Sequence, residues 1–236
     1  MKNVFLQSFN FKLKMSATEK ETVQPVKKGS FIQENTKSLA FIAGAIIVLI
    51  GIFIWYQGVY LKNRTEEAAS KMFKVEQLVG VDSLANQAIK GEGGFTGLET
   101  IATEYENTKS ANLANLYLGG IYLRKGEYQK AVDALSKYSA TGSPVVDPLA
   151  LGLLGDAYSE LKDYKQAATY YKKAIDKSSN KFTSPIFLKK LGLVNEAQKD
   201  YKGAEEAYNK IKTQFPESAE AQMIDSYIGR AAAQTK

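Results

Sequence analysis

The sequence predicts an all-α fold: a single N-terminal transmembrane helix, then an α-solenoid of about three full helical hairpins. A degenerate hairpin precedes these and a C-terminal capping helix follows them. Two observations predict it. One is a pattern met three times with identical internal spacing: Leu-Gly, a Tyr nine residues after the Gly, and an Ala three residues after the Tyr. The copies are Leu118-Gly119…Tyr128…Ala131, Leu154-Gly155…Tyr164…Ala167 and Leu191-Gly192…Tyr201…Ala204, with their alanines 36 and 37 residues apart. A period of that size with helical spacing marks stacked hairpins, an architecture that binds other proteins far more often than it performs chemistry. The other observation is an uncharged apolar run from Leu39 to Tyr56.

In chain order, residues 1–37 read as a polar tail with seven lysines. Met15 opens an ordinary polar stretch and is an alternative start. The transmembrane helix is expected over 38–61, since about 20 residues at 1.5 Å each cross a hydrocarbon core of about 30 Å. Trp55, Tyr56 and Tyr60 cluster at its C-terminal end, where aromatic rings favour the headgroup region. A cleaved signal peptide fits poorly: the run starts only at residue 39, and no small-residue cleavage site follows it. Basic residues flank the span evenly, four in 18–37 and four in 62–81, so charge does not orient it. A short basic tail inside and a large domain outside is the usual arrangement for such an anchor, which puts the N-terminus in the cytosol.

Residues 62–111 are expected to hold a helical stalk and the degenerate first hairpin. No Pro or Gly interrupts 59–79, so Thr65–Val79 continues the membrane helix and supplies the hairpin's first arm. A loop over 81–94, ending in Gly91-Glu92-Gly93-Gly94, leads to a second arm marked by Phe95, Leu98, Ala102 and Tyr105. The three full repeats occupy 112–217. Short polar turns join their arms at Lys125-Gly126-Glu127, Leu161-Lys162-Asp163 and Gln198-Lys199-Asp200. The small Gly and Ala of each copy are expected to let the two helix axes approach closely. Linkers rich in Ser, Gly, Thr and Pro over 139–147 and 177–185 absorb the long period, and Pro216 closes the last arm. In the capping segment, 218–236, Met223, Ile224, Tyr227 and Ile228 are expected to face the last repeat.

The repeated residues resemble the tetratricopeptide repeat, whose order is a large apolar residue, Leu-Gly, Tyr, a Gly-rich turn, Tyr and Ala, an aromatic and a terminal Pro. The second copy reads Leu151, Leu154-Gly155, Tyr158, Tyr164, Ala167, Tyr171 and Ala174; the first departs from it with Asn115 at the first apolar position. By that family's geometry the first helices line a concave groove. The residues it places there are Leu113, Leu116, Gly120 and Leu123, then Leu149, Leu153, Asp156 and Glu160, then Ile186, Lys190 and Leu193. The same leucines also suit burial between neighbouring repeats. A Lys/Asn clamp for C-terminal carboxylates is missing, because Leu116 and Gly120 stand where it would lie.

A second resemblance rests on Phe31-Ile32-Gln33-Glu34-Asn35-Thr36-Lys37-Ser38-Leu39-Ala40 immediately before the span, and on Gly97-Leu98-Glu99-Thr100-Ile101-Ala102…Asn107-Thr108-Lys109 before the first full repeat. This order is similar to the YfgM-type ancillary subunits of the Sec translocon. The resemblance implies a bacterial inner-membrane, single-pass protein with a periplasmic repeat domain, beside SecYEG, passing exported polypeptides to periplasmic chaperones. The rival reading is a repeat scaffold or assembly factor for cytochrome c, outer-membrane or cell-envelope complexes, with self-association as a homo-oligomer left open.

Composition narrows the chemistry. The chain has neither His nor Cys, which removes the commonest general base, thiolate nucleophiles and most zinc ligand sets. No phosphate-binding loop or nucleophile elbow occurs, so no catalytic, cofactor or metal site is expected and the chain reads as non-enzymatic. Net charge is +6, from 31 basic and 25 acidic residues. Residues 1–61 hold seven basic and three acidic residues, leaving 24 and 22 for the rest, a balance that gives no footing for nucleic acid.

Overall fold

The computed structural model describes residues 35–234. The tail through residue 34, with Met15 and the start of the entry motif, lies outside the described residues, as do residues 235–236 of the capping segment. The described residues are all helical or in turns and loops. By compactness the chain divides between Trp55 and Tyr56.

The first unit is helix α1, Thr36–Trp55, in which no residue is buried. Phe41, Ile47 and Leu49 are among its exposed apolar side chains. The helical run Thr36–Val79 contains a window with mean hydropathy 2.6 and 0% burial, long and apolar enough to cross a membrane. A helix apolar all round is stable only where its surroundings are apolar too.

The second unit starts with a π-helical turn, Tyr56–Tyr60, whose two tyrosine rings stack at 5.5 Å. Helix α2, Leu61–Val79, buries Ala68, Met72 and Val75, a spacing that lies along one helical face. The expected loop over 81–94 is partly helical: a 3₁₀ turn Asp82–Leu84 runs into α3, Ala85–Lys90. Ala85, Ala88 and Ile89 bury one side of it, and the chain breaks only at Gly91, whose φ is 79°. Helix α4, Leu98–Glu104, then buries Leu98 and Ile101.

Three hairpins follow: α5, Lys109–Arg124, with α6, Tyr128–Leu135; α7, Val146–Glu160, with α8, Tyr164–Lys177; and α9, Ser184–Ala197, with α10, Tyr201–Gln214. Side-chain caps start several of these helices. Thr108 accepts from the Ala111 N–H at 3.1 Å, Asp163 from Gln166 at 3.1 Å and Asp200 from Gly203 at 3.0 Å. Each turn between arms needs one left-handed residue. Gly126 supplies it in the first copy, whereas Lys162 and Lys199 adopt φ of 62° and 63° in the others.

The Leu-Gly glycines serve a different contact from the one expected. A Cβ on Gly119, Gly155 or Gly192 would collide not with the repeat alanine but with Leu135, Tyr171 or Tyr208. Each of these lies four residues after that alanine, one turn along the second arm. The glycine opens a slot, and the large side chain fills it. The alanines Ala131, Ala167 and Ala204 are fully buried beside these slots.

The cap also differs from expectation. A 3₁₀ turn, Ala219–Met223, precedes α11, Ile224–Gln234, and Met223 is 68% exposed. Capping by Ser218, which accepts from the Ala221 N–H at 3.3 Å, begins a tighter turn and rotates Met223 off the face that carries Ile224. Ile224, Tyr227 and Ile228 do pack on the last repeat, in one cluster with Leu188, Tyr208 and Ile211.

Candidate protein-binding cleft

The first arms α5, α7 and α9 stand side by side and bound an open cleft of about 650 Å³. Its walls carry Gly120 and Leu123 from α5, Leu149, Leu153, Asp156 and Glu160 from α7, and Lys190 and Leu193 from α9. Helical spacing brings these together, because positions three or four apart share a face. Leu149 and Leu193 are about 40% exposed, so their apolar surface is open to a ligand.

Three of the residues expected in the groove lie elsewhere. Leu116 is 6% exposed and belongs to the core cluster that includes Met72 and Val75, because α2 packs against α5 and covers that stretch. Leu113 is half-buried at the edge of the same cluster. Ile186 is 39% exposed but does not line the cleft. Conversely, Arg124, Tyr128, Ser159, Tyr171 and Val194 line it and were not among the expected groove residues. Arg124 had a sequence signal: it occupies the same place in its repeat as Glu160 does in the next.

The polar groups of the cleft are mostly tied to one another. Lys190 Nζ donates to both oxygens of Asp156 at 2.7 Å, and the Tyr171 hydroxyl donates to Asp156 Oδ1 at 2.7 Å. Burial pushes the Tyr171 phenol pKa up, and the Asp156 charge adds to that, so Tyr171 stays a donor. Arg124 reaches back one hairpin: Nε donates to Asp82 Oδ1 at 2.9 Å and a terminal nitrogen to the Val79 carbonyl at 2.8 Å. Its other terminal nitrogen donates to the Gly120 carbonyl at 3.3 Å. Among the described residues, no group of three or more His, Cys, Asp or Glu side chains is arranged to hold a metal.

A helical repeat array with an open, leucine-lined cleft on its first arms defines a class of protein-binding modules. The chain belongs to the tetratricopeptide repeat-like domain family, whose model matches residues 29–150. A tetratricopeptide repeat model also matches residues 153–219. No curated protein matches the chain. Tetratricopeptide repeats imply a protein–protein interaction module.

Proposed function

We propose that this chain is a non-enzymatic, single-pass subunit of the bacterial cytoplasmic membrane that stands beside SecYEG and passes exported polypeptides to periplasmic chaperones. Its tail lies in the cytosol and its repeats in the periplasm. The observation that carries the reading is the cleft: exposed Leu149 and Leu193 with half-buried Leu123 and Leu153 on consecutive first arms, among charges largely satisfied internally. Such a surface receives apolar segments of many sequences, as a hand-over role requires. The family match supports the anchored form, because it begins at residue 29 and so takes in the entry motif, the span, the stalk and the first full repeat together.

Co-purification of the full chain in mild detergent tests the assignment. SecY, SecE or SecG with periplasmic chaperones is the expected set. A narrow set of haem-assembly or envelope proteins would move the function to the rival scaffold, and cytosolic partners would overturn the orientation.

A further inference from the structure

The C-terminal end of α7 combines two features that attract a cation; its last turn holds none, and Lys162, two residues beyond it, makes no ion pair with Glu160 among the described residues. Glu160 is the last residue of this helix, where the aligned peptide dipoles already concentrate negative charge. A carboxylate there works against the dipole, and no basic residue occurs in the last turn. Glu160 makes no ion pair among the described residues; its neighbour is the Tyr128 hydroxyl, whose pKa is raised by hydrogen bonding to it. The other charges facing the cleft are already neutralised, Asp156 by Lys190 and Arg124 by Asp82. Glu160 is therefore the one charge in the cleft without a counter-charge among the described residues.

The repeat itself shows what such a spot accepts. The position five residues after the Leu-Gly glycine is Arg124 in the first copy, Glu160 in the second and Ala197 in the third. From that position Arg124 reaches back to the end of the preceding first arm, α2, and bridges the Val79 carbonyl and the Asp82 carboxylate. One period later, the residue placed to reach back to the end of α7 is Ala197, which has no charge to bring. The repeat geometry that seats a guanidinium on α2 leaves its counterpart on α7 open.

We propose that Glu160 and the C-terminal end of α7 form a cation subsite, so that the cleft selects apolar polypeptide segments carrying a Lys or Arg beside their aliphatic residues. This rests on the cleft being the client site. The aliphatic residues lie along Leu149, Leu153 and Leu193, and the basic side chain reaches Glu160 at the cleft's turn end. A solvent-accessible pair of this kind contributes specificity more than raw affinity, and its effect weakens with salt.

Fluorescence anisotropy on the full chain in detergent tests it, with three labelled peptides that share one leucine-rich sequence and carry Lys, Gln or Glu at one site. The Lys peptide is expected to bind about fivefold more tightly than the Gln peptide, with the Glu peptide weakest, as an exposed charge pair allows. In Glu160→Gln the Lys and Gln peptides are expected to bind alike, the fivefold difference between them being lost. Ala197→Arg tethers a cation at the spot and is expected to lower Lys-peptide affinity to the Gln level. Equal binding of all three peptides to the native chain would overturn the subsite and leave the client cleft standing. Binding of none of them would overturn both.

Discussion

Single positions in this solenoid carry distinct and separable costs. Tyr171 and Tyr208 fill the same slot in successive repeats, yet their hydroxyls are partnered differently. The residue after the Leu-Gly glycine is Asp156 in the second copy and takes the Tyr171 hydroxyl; in the third it is Leu193, and the buried Tyr208 hydroxyl, beside the Arg230 guanidinium, makes no well-formed hydrogen bond among the described residues. The nearby Arg230 guanidinium is committed to Glu196 at 2.7 and 3.2 Å. An unpaired buried hydroxyl costs about 1–3 kcal/mol, whereas a made bond contributes about 1 kcal/mol. Tyr171→Phe is therefore expected to destabilise by about 1–2 kcal/mol, and Tyr208→Phe to leave stability unchanged or raise it, as urea unfolding of the two variants will show. The slot itself is stricter. A Cβ on Gly192 would lie 2.1 Å from the Tyr208 ring, which is fully enclosed and has nowhere to move. Gly192→Ala is expected to cost about 1–3 kcal/mol, although alanine is the better helix former. Gly229→Ala, in open space on α11, is expected to stabilise by up to about 1 kcal/mol.

Between elements, the linker from α6 to α7 is organised by one buried carboxylate. Asp147 is 1% exposed and accepts from the Thr141 N–H at 2.8 Å, the Gly142 N–H at 2.9 Å and the Tyr138 hydroxyl at 2.9 Å. Burial pushes its pKa up, but these donors outweigh it and hold the carboxyl below its ordinary range. Stability from this group is therefore complete above the unfolded carboxyl pKa of about 3.9 and lost as pH falls through the lower folded value. Asp147→Asn is expected to cost about 2 kcal/mol at pH 7, with the gap to the native chain narrowing below about pH 4, in paired denaturation curves. The hairpins were legible in the sequence because Leu-Gly, Tyr and Ala recur at fixed spacing and each turn has polar chemistry. Helix α3 was not, since its six residues sit among glycines and carry too little periodicity to stand out. The Asp147 staple was equally hidden: two of its donors are backbone N–H groups of a loop, which leave no mark on residue type.

For the whole molecule, the register of the repeat was enough to locate the cleft but not its limits. Leu149, Leu153 and Leu193 line it because their repeats keep the family spacing. Leu116 fell into the core because α2, part of a hairpin with weak repeat character, packs along α5 as far as the Arg124–Val79 contact at its C-terminal end. The fold thus closes its groove at one end and leaves it open across the later repeats. Stability in such an array is a sum of hairpin and nearest-neighbour terms, so damage at Gly192 is expected to loosen the last hairpin and cap before the first. Hydrogen exchange on Gly192→Ala should show faster exchange over 184–234 than over 62–124.

On the proposed reading, the leucine face of the first arms receives exported chains outside the membrane. That reading is tested most directly by a photoreactive residue at Leu153 in the full chain in living cells, with the same residue at exposed Thr169 on α8 as control. Crosslinks from position 153 to translocon subunits, periplasmic chaperones or exported polypeptides, with few from position 169, are the predicted result. Equal capture from both positions, or capture of cytosolic proteins from position 153, would contradict the account.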